Sequence, residues 1–317
     1  LTLEVVRAGP FATVQDLGRF GHLRHGVPPS GAMDPFALEV ANLLVGNPRG
    51  AAALEVAPGR LALRCLAEGL FAVTGADLDA TVDGKPAPRW EAFAVHGGET
   101  LSFGRALGGV FAYLALAGGI DVDEVMGSRS TYVRARLGGF EGRPLGRGDL
   151  LRAGPIAAPL RPAGRRLPRE VIPSYSRRVE ARVILGPDLD RFTEQALATL
   201  LASPFEVTPR SDRMGYRLRG PSLRHRGGAD ILTDALATGS VQVPPDGQPI
   251  VLLADRPATG GYARIATVIT ADVGKVAQSP PGGTVSFRSV EIEQAQAEAL
   301  RFEARLADVE KRLPRGD

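Results

Sequence analysis

The chain has 317 residues, enough for two domains of ordinary size, each burying its own core. It is 44% hydrophobic and 23% charged, and its formal net charge of +3 rests mainly on arginine, since the lysines are Lys85, Lys275 and Lys311. No basic helix, base-stacking motif or zinc spacing accompanies that charge and no apolar run approaches a membrane span, so no nucleic-acid or membrane partner is expected.

The 39 glycines and 25 prolines favour many short elements joined by tight turns, and the expected fold class is mainly β. The stretch TVQDLGRFGHLRHGVPPSGAMD, Thr13 to Asp34, holds two histidines, two acids, two arginines and four glycines. It reads as an ordered functional loop without secondary structure of its own, in which His22 and His25 can approach each other. Asp34 then caps a helix with Pro35 at its first position, running through FALEVANLLVGN to a stop at Gly46. Leu61, Leu63 and Cys65 alternate as inward strand residues, so the single cysteine reads as a core thiol. With one cysteine and no leader-like segment, a cytoplasmic chain is expected.

Buried strands are expected at LFAV (Leu70 to Val73) and VFAYLAL (Val110 to Leu116). Polar, glycine-rich turns follow from Gly127 to Leu151. Five prolines between Arg152 and Pro173 mark a linker, which sets the domains at 1–155, a linker at 156–173, and 174–317 with a C-terminal helix. Beyond it, Val179, Ala181, Val183 and Leu185 alternate with charged residues, a helix is expected from about Asp188 to Leu201, and IVLLA (Ile250 to Ala254) and IATVI (Ile265 to Ile269) read as strands. The last helix, EIEQAQAEALRFEARLADVEKRL, carries Leu300, Leu306, Val309 and Leu313 as an apolar stripe.

No Walker loop, Rossmann glycine fingerprint, Cys/His metal pattern or nucleophile elbow occurs. The polar stretches that flank strands are Thr13 to Asp34, Gly127 to Leu151, SDRMGY (Ser211 to Tyr216) and Gly239 to Tyr262. Glycines let backbone approach an anion, arginine offers a planar fork, and aspartate orients an amide or a metal. Together these describe a site for an anionic, amide-bearing small molecule.

The segments TVQDLGRFG, GVPPSGAMD, ANLLVGNP, YLALAGGIDV, MGSRSTY, GGFEGRPLGRGDLL, SDRMGYRL and GSVQVPPDGQPIVLLADRPATGGYARIATVITADVGKVAQSPPG resemble, in order and over nearly the whole chain, the biotin-dependent carboxyltransferase family related to urea amidolyase. The resemblance implies two cyclophilin-like β-barrel lobes with flanking helices and a cleft between them, lined by the Thr13 to Asp34 loop. It implies one component, inactive alone, of an ATP-dependent 5-oxoprolinase. Together with a kinase-inhibitor-like B subunit and an A subunit, and with ATP and Mg as cofactors, it would open 5-oxo-L-proline to L-glutamate. The alternatives are carboxyl transfer from carboxybiotin to urea or a related amide, with biotin carried by another chain, and a non-catalytic protein antagonising a sporulation kinase inhibitor.

In that setting Asp16, Arg19, His25, Asp34, Asp255 and Arg256 are the expected catalytic groups. Arg19, Arg213 and Arg256 would hold phosphate or carboxylate, the three acids would orient the amide or a metal-bound nucleotide, and His25 would carry a proton. Gln15, Gly26, Ser30, Gly31, Arg213, Tyr216, Gln242, Thr259, Gly260, Gly261 and Tyr262 are the expected binding residues, and no metal ligands are expected. As substrate-facing acids, Asp16 and Asp255 would be replaceable by alanine with little loss of stability. Many relatives read Asp-Arg-Gln-Thr-Thr-Gly-Gly-Tyr where this chain has Pro257 and Ala258, so contacts of that Gln and first Thr are lost.

Overall fold

The computed structural model describes residues 1–156 and 163–313; Pro159 and Pro162 of the expected linker lie outside them. The chain is mainly β and divides into two compact units. The first takes Leu1–Arg19, Ser30–Tyr175 and the stretch from Arg305, and the second takes Phe20–Pro29 and Ser176–Ala304. Among the described residues no helix is long and apolar enough to cross a membrane.

The first unit is built on two antiparallel sheets. One has the order Leu150–Arg152, Thr2–Arg7, Leu61–Cys65, Thr100–Phe103, Thr81–Val82, Lys85–Pro86. The other runs Ala12–Gln15, Ala53–Val56, Gly108–Leu116, Gly69–Asp77, Ala92–Val95. Side chains from both sheets, among them Val5, Val14, Leu54, Leu63, Phe71 and Leu114, share one apolar core, and Cys65 is fully buried in it. Alternation along each strand places these residues inward. Helix α1, Pro35–Val45, forms as its signals require: Asp34 accepts the Ala37 N–H at 3.3 Å, Pro35 opens the helix, and Gly46 closes it with φ 84°.

Two expectations change here. Thr13 to Asp34 is not free of secondary structure, because its start belongs to the strand Ala12–Gln15, paired with Ala53–Val56, and Leu23–His25 forms a 3-10 turn. A run as short as Thr-Val-Gln declares itself a strand only through a partner some forty residues away in sequence. The proline-rich stretch after residue 162 is bonded into the first unit. Ala92 donates to the Arg165 carbonyl at 2.7 Å, Leu167 to the Trp90 carbonyl at 2.8 Å, and Arg165 Nη1 to the Leu44 carbonyl at 3.0 Å.

The second unit holds a closed seven-stranded barrel. Its order is Arg178–Leu185, Arg264–Val268, Ser240–Gln242, Ile250–Leu252, Gly215–Arg219, Phe205–Val207, Thr284–Ser289, and the parallel pairing of Thr284–Ser289 with Arg178–Leu185 closes it. The expected helix from Asp188 to Leu201 is a 3-10 turn, Leu189–Arg191, followed by α2, Glu194–Ala202, which Thr193 caps at 3.1 Å. Helix α3, Thr270–Ala277, was not expected, because its glycine and β-branched residues carry little helical signal. Helix α4, Ile292–Arg312, is present, with Leu306, Val309 and Leu313 buried but Leu300 72% exposed. At 100° per residue Leu300 lies about 120° around the helix from Leu306, so it falls off the stripe.

A two-stranded ribbon, Asp230–Ala235 with Thr259–Tyr262, completes the unit. Arg264 anchors it, bonding both Asp188 and Asp234 at 2.8 Å.

Candidate functional site

Polar side chains named from the sequence gather into a cluster in each unit. In the first unit Asp16 is buried, and its carboxylate is saturated by its own chain. Oδ1 accepts from Gly18 N–H at 2.8 Å, Ser128 Oγ at 2.7 Å and Ser130 Oγ at 2.5 Å, and Oδ2 accepts from Arg129 N–H at 2.6 Å. Its backbone N–H reaches Ser130 Oγ at 3.0 Å, and its carbonyl accepts the Ala32 N–H at 2.9 Å. Arg19 is 1% exposed; Nη2 donates to the Ser130 carbonyl and Nε to the Val125 carbonyl at 3.5 Å. Both residues therefore brace the turn from Val125 to Thr131 against the opening loop.

Gln15 donates to Thr13 Oγ1 at 3.0 Å and to the Thr131 carbonyl at 3.2 Å, which leaves its buried Oε1 without a partner. Ser30 is buried in the left-handed region, with φ 53° and a hydroxyl that has no partner. Gly31 follows at φ 82°, where a Cβ would stand 2.8 Å from the Gly18 nitrogen, so only glycine permits this approach. Two stretches of loop thus meet closely at Gly18 and Gly31, and Gln15 Oε1 and the Ser30 hydroxyl beside them are each buried without a partner.

Asp34 belongs to a second network. Its carboxylate caps α1 and accepts from Tyr175 Oη at 2.6 Å, and its N–H donates to Tyr113 Oη at 2.7 Å. Tyr113 Oη donates to the fully buried Glu55 at 2.7 Å, and Glu55 also accepts the Met33 N–H at 2.8 Å. Burial, then the neighbouring acids Glu55 and Asp34, push the Tyr113 hydroxyl well above its usual pKa; burial and Asp34 do the same to Tyr175. Glu55, Tyr113 and Tyr175 went unnoticed in the sequence. The signal for the first two was a lone acid in ALEV and a lone hydroxyl in VFAYLAL, polar groups inside otherwise buried strands.

In the second unit Arg213 and Asp255 form a buried bidentate pair, Nε to Oδ2 at 2.9 Å and Nη2 to Oδ1 at 3.0 Å. Arg256 is 3% exposed, and no carboxylate among the described residues faces it. Its Nε donates to the Leu236 carbonyl at 3.1 Å, Nη1 is buried without an acceptor, and burial draws its pKa below the usual arginine value. A buried guanidinium lacking a counter-charge is a ready receptor for a carboxylate or phosphate. Gln242 donates to the Tyr262 carbonyl at 3.3 Å, and Gly260 passes so close that a Cβ would stand 2.7 Å from Gln242 Nε2. Thr259, Gly261 and Tyr262 lie on the ribbon, where Tyr262 is 39% exposed. Tyr216 is buried in the barrel and donates to the Ala277 carbonyl at 2.5 Å.

His25 is exposed, and its Nε2 accepts from Arg24 Nε at 3.0 Å; the His22 and His25 rings lie 6.4 Å apart. Gly26 ends that turn at φ 75° with open space around it. Among the described residues no three His, Cys, Asp or Glu side chains are placed to hold a metal ion.

A family model described as carboxyltransferase domain, subdomain A and B, matches residues 25–289. The chain is 39% identical to the C subunit of 5-oxoprolinase from Escherichia coli over 92% of this chain and 93% of that protein. It is 37% identical to the C subunit of 5-oxoprolinase from Haemophilus influenzae, with the same coverage. The crystal structure of Kluyveromyces lactis urea amidolyase superimposes with a TM-score of 0.91 at 31% identity, covering 97% of this chain but 20% of the amidolyase chain.

Proposed function

The chain belongs to the carboxyltransferase family of subdomains A and B, and on that premise we propose that it is the C subunit of an ATP-dependent 5-oxoprolinase. The observation that carries this is coverage: the two bacterial 5-oxoprolinase proteins are matched over 93% of their own length, whereas the amidolyase match occupies a fifth of a much longer chain. In this reading Gln15 Oε1 and the Ser30 hydroxyl are candidate polar contacts within the first unit, and Arg256, within the second, is a candidate receptor for an anionic group such as a carboxylate. Asp16, Arg19 and the Arg213–Asp255 pair position the backbone around these groups instead of touching substrate.

Nothing in this chain marks a nucleotide site: among the described residues no group of three or more His, Cys, Asp or Glu side chains is placed to hold a metal ion, and the sequence has no phosphate loop ahead of a helix. We therefore assign ATP and Mg to the B and A subunits, with this chain inactive alone and the complex cytoplasmic. Biotin, if the chain transfers carboxyl groups, must arrive on another polypeptide.

The test is reconstitution with the B and A subunits. ATP hydrolysis should require 5-oxoproline and all three chains, and Arg256→Met should raise KM at least tenfold while the thermal midpoint stays level or rises, since a buried unpaired charge is replaced by an apolar side chain. Turnover by the isolated chain, or an unchanged KM in Arg256→Met, would overturn the assignment. The close superposition on urea amidolyase favours carboxyl transfer as the second reading; bicarbonate- and biotin-dependent carboxylation of urea, with no response to 5-oxoproline, would select it.

A further inference from the structure

In the second unit the strands Arg178–Leu185 and Thr284–Ser289 run in parallel, with Ala181, Val183, Val285 and Phe287 buried. Alternation puts Glu180, Arg182, Ser286 and Arg288 on the other face, and the register sets Arg182 directly opposite Arg288. Two like charges so placed repel and cost the sheet stability. Helix α4 brings a third arginine to the same place: Arg182, Arg288 and Arg301 line one cavity of about 280 Å³.

The acids of this face are already committed. Asp272, whose side chain is fully buried, holds Arg182 at Nε and Nη2, both at 2.8 Å, and also accepts from Lys275 at 2.7 Å. Glu298, the one carboxylate on the cavity wall, gives Oε2 to Arg182 Nη1 at 2.8 Å and Oε1 to Arg301 Nη1. Glu180 takes Arg288 Nε at 3.0 Å, but both of those side chains are more than half exposed, so water screens the pair.

What the wall keeps is donors. Both Nη groups of Arg288, and Nε and Nη2 of Arg301, have no acceptor among the described residues. Gln294 has spent its Oε1 on the Glu291 N–H at 3.2 Å, which leaves its amide NH2. Buried Ile269 and Val290 supply the apolar part of the lining.

We propose that this cavity holds a phosphate group, free or on a short organic body, bound between the Arg288 and Arg301 guanidiniums and the Gln294 amide. A tetrahedral anion presents oxygens in several directions and meets donors arriving separately from a strand and a helix, whereas a planar carboxylate fills one fork. Its charge also offsets the repulsion between Arg182 and Arg288. No aromatic side chain lines the cavity, so a nucleotide base has no platform there, and the volume lies at the lower edge of small-molecule sites. The site is on the outer face of the strands and does not rest on the oxoprolinase reading.

The full chain is titrated calorimetrically with inorganic phosphate, phenyl phosphate and acetate at one ionic strength and about pH 8, where a phosphate monoester is a dianion. Saturable binding is expected for both phosphates, with acetate at least tenfold weaker. Arg288→Gln and Arg301→Gln should each weaken phosphate about tenfold, as the loss of one charge-assisted contact gives, and both exposed positions should melt close to the parent. Arg219→Gln, an exposed barrel arginine paired with Glu206, should change nothing. Phenyl phosphate binding tighter than phosphate would mark an organic phosphate whose body rests on Ile269 and Val290; the reverse order would mark free phosphate. Heats that do not saturate in the parent, or equal weakening in Arg219→Gln, would overturn the site, and acetate binding as tightly as phosphate would overturn its assignment to phosphate.

Discussion

Replacing Asp16 by alanine should cost the fold more than it costs any substrate contact. The substitution removes one carboxylate that accepts four hydrogen bonds, two from hydroxyls and two from backbone N–H groups. The Ser128 and Ser130 hydroxyls can turn, and both already accept backbone bonds, from Ser130 N–H and Asp16 N–H at 3.0 Å. The N–H groups of Gly18 and Arg129 cannot turn. At about 1–3 kcal/mol for each buried donor left unsatisfied, and less for these part-buried ones, the loss is about 3 kcal/mol. That is a large fraction of the roughly 5–15 kcal/mol by which a domain is stable. At about 2–4 °C per kcal/mol for a unit of this size, the thermal midpoint should fall by roughly 6–12 °C. Asp16→Asn, which keeps Oδ1 and spoils only the Arg129 contact, should fall by about half of that. The assay is a thermal scan by circular dichroism beside turnover in the reconstituted complex. An Asp16→Ala protein that melts within about 2 °C of the parent yet has lost turnover would refute the argument and return Asp16 to the substrate.

Gly138→Ala should destabilise through the same turn: at φ 63° its Cβ would stand 2.4 Å from the Ser130 carbonyl and 2.6 Å from Arg19 Nη2, and a midpoint unchanged in a thermal scan would show that the turn yields freely. Cys65 is pushed up to about 11, first by burial and then by Glu99 and Asp83, so iodoacetamide at pH 8 should label it only in denaturant; rapid labelling of the native chain would contradict its place in the core. Burial alone would raise the pKa of Asp272, but the Arg182 side chain and N–H together with Lys275 outweigh it and hold the carboxyl below its usual value. The stabilisation this supplies is therefore present above the unfolded value of about 3.9 and is lost as pH falls through the folded one. The midpoint should drop below about pH 4 in the parent and drop less steeply in Asp272→Asn, which starts lower; parallel acid profiles for the two would exclude Asp272 as the source.

Local chemistry is enough to specify several of the parts. Asp34, Pro35 and Gly46 delimit α1 by themselves, because caps act within a turn of the helix end. The alternation of Val179, Ala181 and Val183 declares a strand with one inward face, and Leu61, Leu63 and Cys65 do the same. The polar stretches around Asp16, from Gly127 and around Asp255 were visible as candidates for the same reason: many polar groups and glycines lie between apolar runs.

What only tertiary structure decided is which of those groups are spent. Asp16 meets Ser128 and Ser130 across more than a hundred residues and becomes a brace, Arg213 consumes Asp255, and Tyr216 is committed to the Ala277 carbonyl. Arg256, one residue from Asp255, is left without a carboxylate among the described residues, as Ser30 and Gln15 Oε1 are left without partners. Whether α3 forms, whether Leu300 finds a surface to cover, and whether Trp90 sits at positive φ depend likewise on what packs against them. A side chain's type limits the bonds it can make; the partner that closes over it, brought from a distant part of the chain, determines whether any bond is left for a ligand.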